Sequence, residues 1–128
     1  MILLLDTSTP TCKLTLIGDD WRHDDEWQAD RQLADGLLSY LESHLTSKGT
    51  SWDDITGIAV FKGPGSFTGL RIGMSVLNAL AHAKQVSIVG TTGDDWQTDA
   101  LRRLRSGEDD KIVLPFYGRE ANITKPRK

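Results

Sequence analysis

Residues 58–73, IAVFKGPGSFTGLRIG, constrain the fold more than any other stretch, because a short apolar run meets a glycine-rich turn and then a patterned helix. Ile58 to Phe61 is rich in β-branched and aromatic residues, Gly63, Pro64 and Gly65 interrupt it, and an apolar pattern of helical spacing runs from Phe67 to Ala83. The stretch reads as strand, turn and helix. Ser66 stands where an N-cap belongs, and the glycines before it permit a tight turn or a close approach of backbone. The free N–H groups of the first helical turn offer an anion site at Gly63, Gly65 and Ser66; a structural turn or a contact surface is the plainer reading. No Gly-Lys-Ser or Gly-Lys-Thr closes the turn, so it is not a Walker A loop, nor does it follow the dinucleotide pattern.

Before this stretch, the apolar run Ile2 to Leu5 ends at Asp6, Thr7, Ser8, Thr9 and Pro10, which predicts a central strand feeding a polar turn. Cys12, Leu14 and Leu16 alternate with Lys13, Thr15 and Ile17, a second strand paired with the first. Trp21 to Gln28 is a third, whose Asp24, Asp25 and Glu26 place it at the sheet edge. Asp30 caps a predicted helix running to about Ser47, with Leu33, Leu37, Leu41 and Leu45 at steps of four and Ala34 and Leu38 widening the stripe. Ser51 and Asp54 have the spacing of a capping box.

The helix predicted over 67–84 is about 27 Å long at about 1.5 Å per residue. Arg71, Ser75, Asn78 and His82 form one narrow polar line, whereas Leu70, Met74 and Leu77 belong to an apolar surface covering most of the remaining circumference. So wide a surface predicts burial on two sides, one against the sheet and one against a neighbouring helix or a second protein. Gly69 and Gly73 stack four apart and would let such a neighbour approach. Val86 to Val89 then reads as a strand parallel to 58–62, residues 94–105 as a short helix, and Ile112 to Tyr117 as a further strand. The expected architecture is an α/β sandwich, a five-stranded mixed sheet with flanking helices, over residues 1–110. Residues 111–128 follow as a remnant strand and an arm with four basic residues against one acidic.

At 128 residues the chain fits one domain, and a net charge of -3 gives no global signal for nucleic acid or an acidic membrane. Cys12 is the only cysteine, which excludes an internal disulfide and fits a reducing compartment. The opening has only four residues in its apolar run and no stretch approaches the roughly 18 needed to span a bilayer, so a cytoplasmic protein is expected.

Asp6, with the hydroxyls of Thr7 and Ser8, ends a central strand where α/β proteins place ligands. It reads either as a holder of hydrated Mg²⁺ and phosphate or as the cap of a tight turn. Arg71 reads as a clamp for an anion, a partner's carboxylate pair, or a solvated helix residue. His23, His44 and His82 lack zinc-site spacing, and Cys12 reads as a buried small hydrophobe. Ser66 is not in a nucleophile elbow, and the acidic runs 24–26 and 108–110 read as solvated faces. Trp21 and Trp27 share a parity on the third strand, for core packing or a partner's rim.

Two separated segments, ILLLDTSTPTCKLTL and GPGSFTGLRIG, resemble the TsaB (YeaZ-like) family, and the likeness extends through the helix Leu33 to Leu45 and the strands Ile58 to Phe61 and Ser87 to Gly90, over roughly residues 1–105. The resemblance implies one lobe of an actin-like ATPase (ribonuclease H-like) fold in a non-catalytic subunit without cofactor or metal. Such a subunit supports a TsaD-family transferase that makes N6-threonylcarbamoyladenosine at position 37 of tRNAs, with a TsaE-type ATPase in the wider complex. It further implies that the helices 31–47 and 67–84 build a dimer interface, placing Leu33, Leu37, Leu41, Gly69, Leu70, Arg71, Gly73, Met74 and Leu77 there. A homodimer through the same helices, and a weak tRNA contact through Lys125, Arg127 and Lys128, are further expectations. The alternative function is a small ATP-binding or hydrolysing protein using the loops at Asp6 and Gly63–Gly65. The sequence departs from the family pattern at Ala29 and Asp30, where a His-Ser pair is common, and in having Ile112 to Tyr117 where a second lobe would begin.

Overall fold

A computed structural model describes residues 1–116. Strands β1 (Ile2–Asp6), β2 (Thr11–Ile17) and β3 (Arg22–Gln28) are followed by helix α1 (Leu33–Ser47), strand β4 (Gly57–Phe61), helix α2 (Phe67–Lys84), strand β5 (Ser87–Thr91) and helix α3 (Trp96–Arg105). They form one mixed five-stranded sheet of order β3-β2-β1-β4-β5. β1 lies at its centre, antiparallel to β2 with Leu5 opposite Leu14, and parallel to β4 with Leu5 opposite Val60. β5 runs parallel to β4, as expected when a long helix makes the crossover.

Alternation along the strands divides the core in two. Leu3, Leu5, Cys12, Leu14, Leu16, Ile58, Val60 and Ile88 point to the face covered by α1 and α2, where they meet Leu37, Leu41, Leu70 and Leu77. Leu4, Ala59 and Val89 point to the opposite face and pack with Ala100 of α3. Each fully buried leucine is worth about 1.5–3 kcal/mol, so the run Leu3–Leu5, buried on both faces, anchors the sheet.

Several local expectations change. Asp30 is not a helix cap: its φ is 49°, it belongs to a short 3-10 turn (Asp30–Gln32), and its carboxylate accepts from Gln28 Nε2 at 3.1 Å. Gln32 precedes α1 without a side-chain capping bond. The capping box does form at Trp52–Asp54, and Ser66 caps α2 by accepting the Gly69 N–H at 3.2 Å. Residues 112–116 are not a strand, and Tyr117 and the basic arm lie outside the described residues. This segment packs back on the lobe instead. Val113 is buried, with its N–H donating to Asn78 Oδ1 at 2.9 Å and its carbonyl accepting from Asn78 Nδ2 at 3.0 Å.

The run 108–110 is likewise more than a solvated face. β5 is an edge strand, and the loop plugs its open hydrogen-bonding side. Ile88 N–H donates to Asp109 Oδ1 at 3.1 Å, Gly90 N–H to Asp110 Oδ2 at 2.9 Å, and Arg103 Nη1 to the Gly90 carbonyl at 3.1 Å. Burial works to raise the Asp110 carboxyl, but the Arg103 guanidinium and the Gly90 N–H outweigh it and leave it below the ordinary carboxylate range.

Candidate functional site

The two loops singled out by sequence, after β1 and after β4, meet at the carboxyl edge of the sheet. Asp6 Oδ1 accepts the Ser8 N–H at 2.8 Å, capping the first turn, and the Ser66 N–H donates to the Ser8 carbonyl at 2.7 Å, tying the second turn to it. Thr7 is fully buried and its hydroxyl donates to the Gly69 carbonyl at 2.7 Å.

The glycines are explained by this contact. A Cβ on Gly65 would lie 2.4 Å from Ser8 Cβ, one on Gly69 2.3 Å from the Thr7 carbonyl oxygen, and one on Gly73 2.3 Å from Thr7 Oγ1. Gly63 has a φ of 116°, and a Cβ there would lie 2.1 Å from the Phe116 carbonyl oxygen. The Cβ directions of these glycines are thus occupied by the chain's own Thr7, Ser8 and Phe116, while Ser66 and Gly69 also border an open groove. Among the described residues no group of three or more His, Cys, Asp or Glu side chains could hold a metal ion.

The interface residues expected on the two helices also need correction. Leu33, Leu37, Leu41, Leu70, Met74 and Leu77 are at most 6% exposed and belong to the core against the sheet. Gly69 and Gly73 admit Thr7 rather than a partner's backbone. Arg71 alone of that set is exposed, its guanidinium carbon 5.0 Å from the centre of the Phe67 ring.

A second apolar stripe, displaced around each helix, is only partly covered, since its α2 members Ile72, Val76 and Leu80 pack against the core and keep some surface open. On α1 it holds Ala34 and Leu38, the latter 56% exposed; on α2 Ile72, Val76 and Leu80 are half-buried, with Phe67 55% exposed at the helix start. Between the starting ends of the helices lies an open groove of about 870 Å³ lined by Pro10, Ala29, Arg31, Ala34, Thr68 and Ile72. Periodicity showed α2 to be apolar on two sides but could not show which stripe met the sheet; Leu38 was legible only as a widening of the buried stripe.

Trp27 stacks on Tyr40 at 4.8 Å, so it packs within the lobe, as does Trp21. Cys12 is 1% exposed, and burial, with the charges of Asp6 and Asp25, pushes its thiol up to about 12.

With this geometry in view, residues 27–95 match the family model described as TsaD, tRNA N6-adenosine threonylcarbamoyltransferase. The solved YeaZ of Pseudomonas aeruginosa superposes with a TM-score of 0.67 at 32% identity, over 71% of this chain and 43% of that one. The chain belongs to the TsaB (YeaZ-like) family. Among curated relatives, the tRNA threonylcarbamoyladenosine biosynthesis protein TsaB of Escherichia coli K12 is 34% identical over 91 residues, covering 71% of this chain and 39% of the relative. The tRNA N6-adenosine threonylcarbamoyltransferase of Geotalea uraniireducens is 37% identical over 95 residues, covering 74% of this chain and 28% of that protein. The chain thus spans less than half the length of these family members. The fold is the actin-like, ribonuclease H-like lobe expected of a TsaB protein. No helix of the described residues is long and apolar enough to cross a membrane.

Proposed function

We propose that this TsaB-type lobe is a non-catalytic subunit that docks onto a TsaD-family transferase and supports its synthesis of N6-threonylcarbamoyladenosine in tRNA. The observation that carries the reading is the apolar stripe of exposed Ala34 and Leu38 and half-buried Ile72, Val76 and Leu80, the last three packing against the core while keeping part of their surface open. Apolar area of this kind, rimmed by Arg31, Thr68, Arg71 and Ser75, matches a protein interface. The neighbouring groove accepts a partner's side chain, and Arg71 pairs with a partner carboxylate at the rim. A second copy of the lobe competes for the same face. A TsaE-type ATPase joins the assembly, tRNA is contacted chiefly through the transferase, and the complex works in the cytoplasm.

The turn-forming roles of Thr7 and Ser66, which both bond Gly69, and of Asp6, one oxygen of which accepts from Ser8, support the non-catalytic part of this proposal. The experiment is co-purification of the full chain with its cognate transferase, followed by reconstitution of the tRNA modification with and without it. A stable complex with enhanced modification is expected; unchanged modification and no complex at micromolar concentrations would overturn the reading.

A further inference from the structure

The clearest cluster of titratable groups away from these loops lies between the edge strand β3 and α1. Gly36, Tyr40 and His44 recur every four residues along α1, a rise of about 6 Å, while Trp27, Asp25 and His23 recur every two along β3, a rise of about 6.8 Å. Helix and strand therefore stay in step for three rungs. Trp27 lies over Gly36, where a Cβ would come within 2.9 Å of Trp27 Cη2. Tyr40 donates its hydroxyl to Asp25 Oδ2 at 2.6 Å, His44 Nε2 lies 3.2 Å from the same oxygen, and His23 Nε2 lies 3.0 Å from His44 Nδ1.

In the neutral pair one of the facing nitrogens, His23 Nε2 or His44 Nδ1, carries the hydrogen and the other the lone pair; with His44 Nε2 3.2 Å from the Asp25 carboxylate, which only accepts, the arrangement in which Nδ1 accepts from His23 Nε2–H keeps a hydrogen toward that charge. One added proton fits, because the outer nitrogen of His23 can take it without altering the contact. A second sets two N–H groups against each other. We propose that the His23–His44 pair, joined through Asp25 to Tyr40, is an acid-sensitive latch: it fastens β3 to α1 while it carries at most one proton and releases the strand when both rings are protonated.

The surroundings agree with that reading. From β3 the charges near the pair are Asp24 and Asp25, and from α1 and its end His44, Tyr40 and Lys48. β2 contributes Leu16, the register partner of His23, and the Cys12 thiol near Tyr40. Burial, then the Lys48 charge and His44, keep His23 below the ordinary histidine range against the pull of Asp25 and Asp24. The folded chain binds that proton less readily than the unfolded chain, so the contribution to stability is full above about pH 6.5 and falls as the pH drops through the lowered value. β3 has one strand neighbour, so once the latch opens it is held by β2, by the Trp27–Tyr40 stack and by the bond from Arg22 to Gln97.

The test is an NMR titration of the histidine rings in the full chain from about pH 8 to about pH 4, with amide exchange read over residues 22–28. Two coupled steps are expected, the second accompanied by a rise of about tenfold or more in exchange along β3 and a shift of the Trp27 indole signal. His23→Gln keeps a donor for His44 Nδ1 but takes no proton, so it should preserve the spectrum at about pH 8 and abolish the opening; His44→Gln serves as the second variant. Two independent single-site curves, flat exchange across the range, or opening at the same pH in His23→Gln would each overturn the proposal.

Discussion

Thr7 occupies the space that Gly73 leaves by having no side chain: a Cβ at Gly73 would lie 2.3 Å from Thr7 Oγ1 and 3.0 Å from Thr7 Cγ2. The hydroxyl so positioned donates to the Gly69 carbonyl one turn earlier, so the end of β1 is fastened into the first two turns of α2. This contact ties the start of α2 to the end of β1 on the helix that carries Ile72 and Val76.

Gly73→Ala should therefore cost about 1–3 kcal/mol through overpacking, seen in urea unfolding as a lower midpoint with an unchanged slope. Thr7→Ala should cost about 1–2 kcal/mol by losing the bond to Gly69. Because the second change removes the atoms with which the first collides, the double variant should lose less than the sum. Strict additivity would show that the clash is relieved elsewhere.

At the β5 edge, Asp110→Ala should lower stability by about 1–3 kcal/mol, since it leaves the Gly90 N–H without its acceptor and Arg103 with only Glu108 and the Gly90 carbonyl. The sign with pH follows from the lowered carboxyl: the stabilisation is present above the ordinary carboxylate value of about 3.9 and is lost as the pH falls through the folded value. Unfolding midpoints measured downward from neutral pH should show this acid loss in the parent and a weaker one in Asp110→Ala. The bared edge should also make the variant associate with concentration, which light scattering reads.

Cys12 should react with a disulfide reagent at about pH 8 roughly a thousandfold more slowly than a free thiol, because its thiolate is suppressed when the thiol sits at about 12. Denaturant should restore the ordinary rate. Fast labelling of the native chain would mean that β2 opens locally far more often than its buried register partners imply.

Much of the framework was legible because its signals are local. The run Ile2–Leu5 needs only its own composition to declare a buried strand, and Ser66 with Gly69 declares a helix start. Other features depend on residues distant in the chain. His23 and His44 meet only because β3 and α1 share a pitch, and Asp109 and Asp110 find acceptor work only once β5 is known to be an edge. The glycines of the turn were visible from the start, but what fills their space comes from Thr7, Ser8 and Phe116, between 53 and 66 residues away along the chain. Which apolar stripe of α1 and α2 met the sheet was likewise a tertiary decision: Leu37 and Leu77 went inward, leaving Leu38 and Ile72 on the outer side.

Binding of a TsaD-family transferase by this outer side is tested by the affinity of that pair, measured by calorimetry for the parent chain and for Leu38→Asp. Leu38 is 56% exposed, so the substitution should leave the fold and unfolding midpoint nearly unchanged. A micromolar or tighter complex is expected, weakened about tenfold or more in Leu38→Asp because a charge enters an apolar interface. Binding unaffected by that change, or no binding by the folded parent chain at tens of micromolar, would contradict it.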